Sequence, residues 1–302
     1  MTEHPAILND LAGRWGLSGL ELIGRGLEFS AYRARRQDGE PVVVRLAPRR
    51  YDSNANDPHV DTRALLAQEY ELTRYLAAYG LPVAQPMELI LADESSSSDA
   101  LLTTYVHDDG SDLDSFALGR LLARLHSVPP PRLRPVASEG MPTAGAIAAR
   151  IRRRWGEIGR YIGDWSEPPD PSLISRHLSG VTEDSLIHLD IRSDNTRRRR
   201  GNVVALLDWS NALLGCSAVE FGRLTEYARY PENGLDLAAI RSGYAETTAV
   251  PPDNDPALSV CRLDAALMLA LVFLAEAPDP IRGPAAADHA REIAHTVTTL
   301  RM

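Results

Sequence analysis

The segment His188-Leu189-Asp190-Ile191-Arg192-Ser193-Asp194-Asn195, followed thirteen residues after Asn195 by the Asp208 of Leu207-Asp208-Trp209, carries the most specific chemical pattern in the chain. Phosphoryl transfer from a nucleotide needs a carboxylate to accept the acceptor hydroxyl's proton. It also needs oxygen ligands for magnesium ions that bridge and neutralise the phosphates. Asp190 can serve as the first, Asn195 and Asp208 as the second, and Arg192 would face the transferring group. Asp208 ends the apolar run from Val203 to Leu207, which reads as a buried strand, a rigid element on which metal chemistry can be built. The same acidic residues would also serve as turn and cap residues flanking two strands.

Two weaker features nearer the N-terminus point the same way. Gly24-Arg25-Gly26-Leu27-Glu28-Phe29 lies between two strand-like runs, so it is neither a dinucleotide-binding fingerprint nor a Walker loop. Gly24 and Gly26 fit a glycine-rich flap over phosphates, although the third glycine is missing and a plain hairpin turn would read alike. Arg45 ends the strand Val43-Val44-Arg45-Leu46, and Glu69 falls in phase with the apolar stripe of the next helix. A carboxylate on a buried face is costly unless a cation meets it, so Arg45 is its natural partner and the pair would hold positive charge against the phosphates. Glu69 snorkelling beside an exposed Arg45 is the alternative. All 32 basic residues are arginine. Arginine where kinases use lysine therefore reflects chain-wide usage as well as the site, and its planar fork can engage a carboxylate and a phosphate together.

These residues need a scaffold, and the patterning supplies one. Leu20 to Ile23, Ser30 to Arg35 and Val42 to Leu46 read as strands separated by glycine-containing turns. The spacing turns helical from Ala64 to Tyr79, with Leu65, Glu69, Leu72, Leu76 and Tyr79 on one stripe and Gly80 as the stop. Strands near Glu88 to Ala92 and Ala100 to Val106 flank the Ser95 to Ser98 run, read as an exposed loop. Beyond residue 107, the expected lobe boundary, the pattern is helical: Leu113 to His126, Ala146 to Trp165, Leu235 to Thr247, Ala257 to Ala277 and Ala285 to Leu300. Short strands at Leu186 to His188 and Val203 to Leu207 bracket the motif. No internal repeat is visible.

A chain of 302 residues with 44% hydrophobic and 24% charged residues can build two lobes sharing one interface. A formal charge of −9 argues against general affinity for nucleic acid and weakly favours cationic ligands. The apolar run from Ala265 to Ala275 falls short of the roughly 20 residues of a membrane span and reads as a buried helix. The first residues lack signal-peptide character, and Cys216 and Cys261 are too far apart for a metal knuckle, so a reducing cytoplasm is the expected location.

With these residues in place, the chain resembles the aminoglycoside phosphotransferase-like family of the protein-kinase-like fold over nearly its whole length. The family's His-x-Asp-x-x-x-x-Asn loop matches His188, Asp190 and Asn195. Its following Asp-Trp matches Asp208 and Trp209, and its helical Leu-His looks like Leu125-His126. The resemblance implies an α+β bilobal fold. A five-stranded antiparallel nucleotide-binding lobe with one helix would span residues 1–106, and a mostly helical lobe with catalytic loop and acceptor pocket would span 107–302. It implies transfer of the γ-phosphoryl group of ATP or GTP, with Mg2+, to a hydroxyl. It adds His188 to the catalytic set, and Tyr105 and Val106, where the last strand of the first lobe ends, to the nucleotide contacts.

The chain also departs from the family. Gly215-Cys216-Ser217 and Glu220-Phe221-Gly222 stand where Gly-Asp-Pro and Asp-Leu-Ala are usual, with Glu220 still able to brace the catalytic loop. Thr196 and four arginines replace an apolar strand, so that edge reads as a solvated hairpin or a partner-facing one. Three functions follow. The acceptor is a small molecule, an antibiotic or metabolite alcohol; or it is a Ser or Thr of a ribosomal natural-product precursor peptide of lanthipeptide or thioamitide type, its acidic leader meeting Arg152 to Arg154 and Arg197 to Arg200. The third, a silent nucleotide-binding protein, is disfavoured because Asp190, Asn195 and Asp208 are all present. Glu246, Asp264 and Glu276 either line the acceptor pocket or face solvent.

Overall fold

Alternating burial over Ser30–Arg35 and Pro41–Ala47 builds the centre of the first sheet. In the computed structural model, which describes residues 5–92 and 98–300, helix α1 (Pro5–Trp15) precedes β1 (Ser18–Arg25), β2 (Ser30–Arg35) and β3 (Pro41–Ala47). Short strands β4 (Tyr51–Asp52) and β5 (Val60–Asp61) lead into α2 (Thr62–Ala78), followed by β6 (Pro86–Ile90) and β7 (Asp99–Thr104). Five strands form an antiparallel sheet in the order β1-β2-β3-β7-β6. Tyr32, Val42, Val44 and Leu102 pack on one face with Leu8 and Leu11 of α1, while Phe29, Ala47 and Leu101 pack on the other with Leu65 and Leu66 of α2. The expectation of one helix in this lobe is therefore corrected to two. The serine loop falls on Ser95 to Ser97, outside the described residues, and on the bend at Ser98.

The remaining chain is helical around short hairpins. It runs α3 (Ser115–Ser127), α4 (Thr143–Ile158), α5 (Pro171–His177), β8 (Ser185–Ile187), β9 (Thr196–Arg199), β10 (Asn202–Leu206), β11 (Leu213–Gly215), α6 (Ser217–Tyr227), α7 (Leu237–Ala245), α8 (Pro256–Leu271) and α9 (Arg282–Thr299). Five helices start on an aspartate whose side chain accepts a first-turn N–H: Asp61, Asp114, Asp170, Asp236 and Asp255. The expected helix to Trp165 ends at Ile158, and the apolar spacing persists because the chain folds back to set Trp165 on Trp155 at 4.6 Å between ring centroids. Pro256–Glu276, comprising α8 and a π-helical turn, is long and apolar enough to cross a membrane, with mean hydropathy 2.0, yet 78% of its most apolar window is buried inside the fold. It packs with α4 and α9 into one core as a central helix. A second core joins Leu72, Leu76 and Val83 to Leu122, Trp209 and Phe221, tying the end of α2 to the helical part.

Candidate active site

β8 delivers the chain into the motif at His188, whose ring is fully enclosed. Its Nδ1 accepts the Asp190 N–H at 3.2 Å, its Nε2 donates to the Leu207 carbonyl at 3.0 Å, and its ring packs on Trp209. Both ring nitrogens are occupied and the residue lines neither cavity described below, so His188, expected in the catalytic set, is a positioning residue. The next residue, Leu189, has φ +61°, a left-handed backbone that a branched side chain adopts only where its surroundings enforce it. Glu220 of α6 supplies the enforcement, its two oxygens accepting the His188 N–H at 2.7 Å and the Leu189 N–H at 2.9 Å. Burial alone would push the Glu220 carboxyl up; the His126 imidazole, 3.6 Å away, and the amide of His188 outweigh it and hold the group below its usual range. The brace anticipated for Glu220 is present.

This loop aims Asp190. One carboxylate oxygen accepts the Tyr227 hydroxyl at 2.7 Å and lies 3.3 Å from Arg192 Nε; the other accepts Asn195 Nδ2 at 2.6 Å. Such a carboxylate has a fixed direction and is able to take a proton from a hydroxyl placed beside it.

Asp208 follows β10 at φ +62°. Arg45 Nη2 donates to its Oδ1 at 2.8 Å while Nη1 of the same guanidinium donates to Glu69, and the Phe29 ring lies 4.3 Å beneath the fork. Arg45 and Glu69 are thus a buried pair, not a snorkelling one. Burial would raise the Asp208 carboxyl, but Arg45 and Ser210 hold it down at about 2. Burial likewise works against the charge on Arg45, which Asp208 and Glu69 together more than restore.

Two cavities meet here. One, of about 520 Å³, lies under the β1–β2 turn and is lined by Gly24, Gly26, Arg45, Glu69, Tyr105, Val106, Asn195 and Asp208, so every residue assigned to nucleotide or metal from the sequence falls on one wall system. The other, of about 490 Å³, is lined by Asp190, Tyr227 and an apolar side from Met268, Leu269, Val272 and Phe273. Gly26, Glu28, Arg192 and Asp208 border both. The glycine segment is a tight β1–β2 connection closed by the Gly26 N–H on the Phe29 carbonyl, hairpin turn and cavity roof at once.

Residue type alone assigns Glu28 no role; its signal is its place in the glycine flap. It is pushed up to about 7, first by burial and then by Asp208. Tyr227 was missed altogether, because the helix that carries it was not anticipated. Arg197 and Arg198, read as part of a solvated run, line the first cavity, and Asp108 binds both the Arg198 N–H, at 2.9 Å, and its side chain. Only Arg199 and Arg200 are exposed. Among the described residues no three His, Cys, Asp or Glu side chains cluster to hold a metal ion by themselves. Magnesium carried by a nucleotide asks for less, one or two protein oxygens beside the phosphates, and the carboxylate of Asp208 with the amide oxygen of Asn195 on one cavity wall fit that requirement.

The phosphotransferase enzyme family matches residues 19–253 of the chain. A search of curated protein sequences returned no match. Among solved structures, a thermostable mutant of aminoglycoside phosphotransferase APH(4)-Ia in ternary complex with ADP and hygromycin B superimposes with TM-score 0.62 at 14% identity, covering 96% of this chain and 98% of that one. The macrolide 2'-phosphotransferase MphH from Brachybacterium faecium gives TM-score 0.55 at 22% identity over 93% and 95% of the two chains. A type I macrolide 2'-phosphotransferase gives 0.55 at 18% identity over 96% and 99%. The expected α+β kinase-like fold is the fold these proteins share with it.

Proposed function

The chain belongs to the phosphotransferase enzyme family, and on that premise we propose that it moves the γ-phosphoryl group of ATP to a hydroxyl of a small molecule held beside Asp190. One observation carries the reading: two cavities of similar size share a border of Gly26, Glu28, Arg192 and Asp208, with Asp190 on one side only and Gly24, Arg45 and Asn195 only on the other. Nucleotide in the first cavity would present its terminal phosphate at that border, and an acceptor in the second would present its hydroxyl to Asp190. Asp190 takes the hydroxyl proton as the acceptor O–P bond forms and the bond from the γ-phosphorus to the β,γ-bridging oxygen breaks to release ADP, with Tyr227 and Asn195 holding the carboxylate in place. Arg192 lies on the path of the transferred group and offsets its charge. Asn195 and Asp208 would hold Mg2+, which when bound neutralises the phosphates. The peptide alternative loses its support at Arg152 to Arg154, because Arg154 is buried and Arg153 pairs with Glu139, leaving Arg152 alone exposed.

The test is a turnover screen offering ATP and GTP, each with Mg2+, against antibiotics, metabolite alcohols and Ser/Thr-rich peptides, read by mass. Gain of one phosphoryl group on a small molecule is the expected result; gain on peptides alone would overturn the acceptor assignment, and no gain on any acceptor would count against the activity.

A further inference from the structure

α4, α6 and α8 converge behind the second cavity and bring three guanidinium groups onto one carboxylate. Arg154 Nη1 donates to Asp264 Oδ1 at 2.6 Å; Arg150 Nη2 and Arg223 Nη2 lie 3.1 and 3.9 Å from Asp264 Oδ2. All four side chains are withdrawn from solvent, with exposures of 7% for Arg150 and Arg154, 5% for Arg223 and 6% for Asp264. Asp264 is therefore neither a solvent-facing residue nor a lining one, as the sequence allowed, but the counter-ion of this cluster. Buried charge left uncompensated is strongly destabilising, and one carboxylate cannot balance three guanidiniums.

Burial opposes the charge on Arg223, but Tyr227, Asp264 and Asp190 together more than restore it; Arg150 and Arg154, among the described residues, pair with Asp264 alone. Asp190, reached from Arg223 through Tyr227, already accepts from Tyr227 and Asn195 and pairs with Arg192. Glu139 is paired with Arg153 and Glu232 with Arg282; Glu276 accepts from the neutral Asn56 amide and keeps its charge, but among the described residues it forms no ion pair with Arg150, Arg154 or Arg223. No protein group accepts a hydrogen bond from Nε of Arg150 or Arg154, and Arg150 Nη2 is not aligned for one with Asp264. Burial, and then the adjacent arginines acting against Asp264, pull Arg154 down to about 10. Arg150, Arg154 and Arg223 all line the cavity that Asp190 faces.

We propose that the acceptor carries, besides its hydroxyl, an anionic group, a carboxylate or a phosphate or sulfate ester, that docks on Arg150, Arg154 and Arg223. Guanidinium donors in a fixed fork suit planar and tetrahedral oxyanions alike. The apolar side formed by Met268, Leu269, Val272 and Phe273 receives the rest of the molecule. Net charge over the chain favours a cationic acceptor, and the cavity lining as a whole is also acidic, eight carboxylates against five arginines, but three of those arginines gather around Asp264 and set the preference at that wall. The inference rests on reading this cavity as the acceptor site.

The test starts from protein saturated with Mg-ADP, so that phosphate-binding groups of the nucleotide cavity are already filled. Sulfate is then titrated against chloride at matched ionic strength and the melting temperature followed, for the wild type and for Arg154→Met. A saturable rise in the wild type that is lost in the variant is expected. A rise that persists in the variant would be the general exclusion effect of sulfate, and no rise in the wild type would leave the cluster purely structural; either overturns the proposal. Should Arg154→Met fail to fold, Arg150→Gln takes its place. A second arm compares turnover of matched acceptors, a sugar alcohol, its amine, its acid and its phosphate ester. The acid or the ester should lead, the choice between them identifying the anion, and its kcat/KM should fall about tenfold or more in the variant with Mg-ADP affinity unchanged. A lead for the amine would contradict it. Absence of Mg-ADP binding would instead sink the phosphotransferase reading itself.

Discussion

Asp190 and Asp208 are both largely enclosed carboxylates, and their partners set them different tasks. Asp190 is held by a phenol, an amide and a guanidinium at the edge of the acceptor cavity, an arrangement that fixes direction. Asp208 is paired to Arg45 through Oδ1 and keeps its side chain 34% exposed on the border of both cavities, an arrangement that keeps it ionised and reachable. Neutralising it should therefore be felt in nucleotide binding. Asparagine is the suitable replacement because it tolerates the left-handed backbone at this position. Asp208→Asn is expected to weaken Mg-dependent ATP affinity by about tenfold or more in calorimetry; unchanged affinity would remove Asp208 from the metal role. Asn195, Asp208, Arg45 and Glu69, singled out by residue type and spacing, lie on one cavity wall and Asp190 on the adjoining cavity, so their proximity was legible in the sequence. Tyr227, Glu28 and the arginines around Asp264 were not, since their significance lies in what distant segments place beside them.

α6 brings Glu220 under the catalytic loop, Arg223 to Asp264 and Tyr227 to Asp190. Its closeness to α8 depends on Gly222, where an added Cβ would stand 2.5 Å from the Cys261 Cβ. Gly222→Ala should accordingly push the two helices apart, cost about 1–3 kcal/mol in a denaturant titration and lower kcat together with stability. An unchanged midpoint would show that the helix is not held at that crossing. This element escaped the sequence reading because Cys216, Ser217 and Gly222 resemble loop residues, yet the glycine serves close packing, not a turn. α1 escaped for a related reason: its apolar Ile7, Leu8 and Leu11 are few, and helicity there is rewarded only once Leu8 and Leu11 meet the sheet. The strands were easier, since the alternation in β2 and β3 is set by the two faces they bury.

At the scale of the molecule, the sheet-bearing part of the chain and the helical part both line the two adjoining cavities. Arg45, from the sheet, reaches Asp208 across the divide, and the core around Leu72, Trp209 and Phe221 keeps the halves in register. On the proposed reading, nucleotide and acceptor occupy the two adjoining cavities together and the phosphoryl group passes directly between them, with no covalent stop on the protein. Following the γ-phosphoryl label of ATP through a single turnover, in wild type and in Asp190→Asn, tests this most directly. The label should pass from ATP to the acceptor without appearing on the protein, and the substitution should slow that passage about 10²-fold or more while leaving ATP bound. Label found on the protein, or transferred at an undiminished rate by Asp190→Asn, would contradict the account.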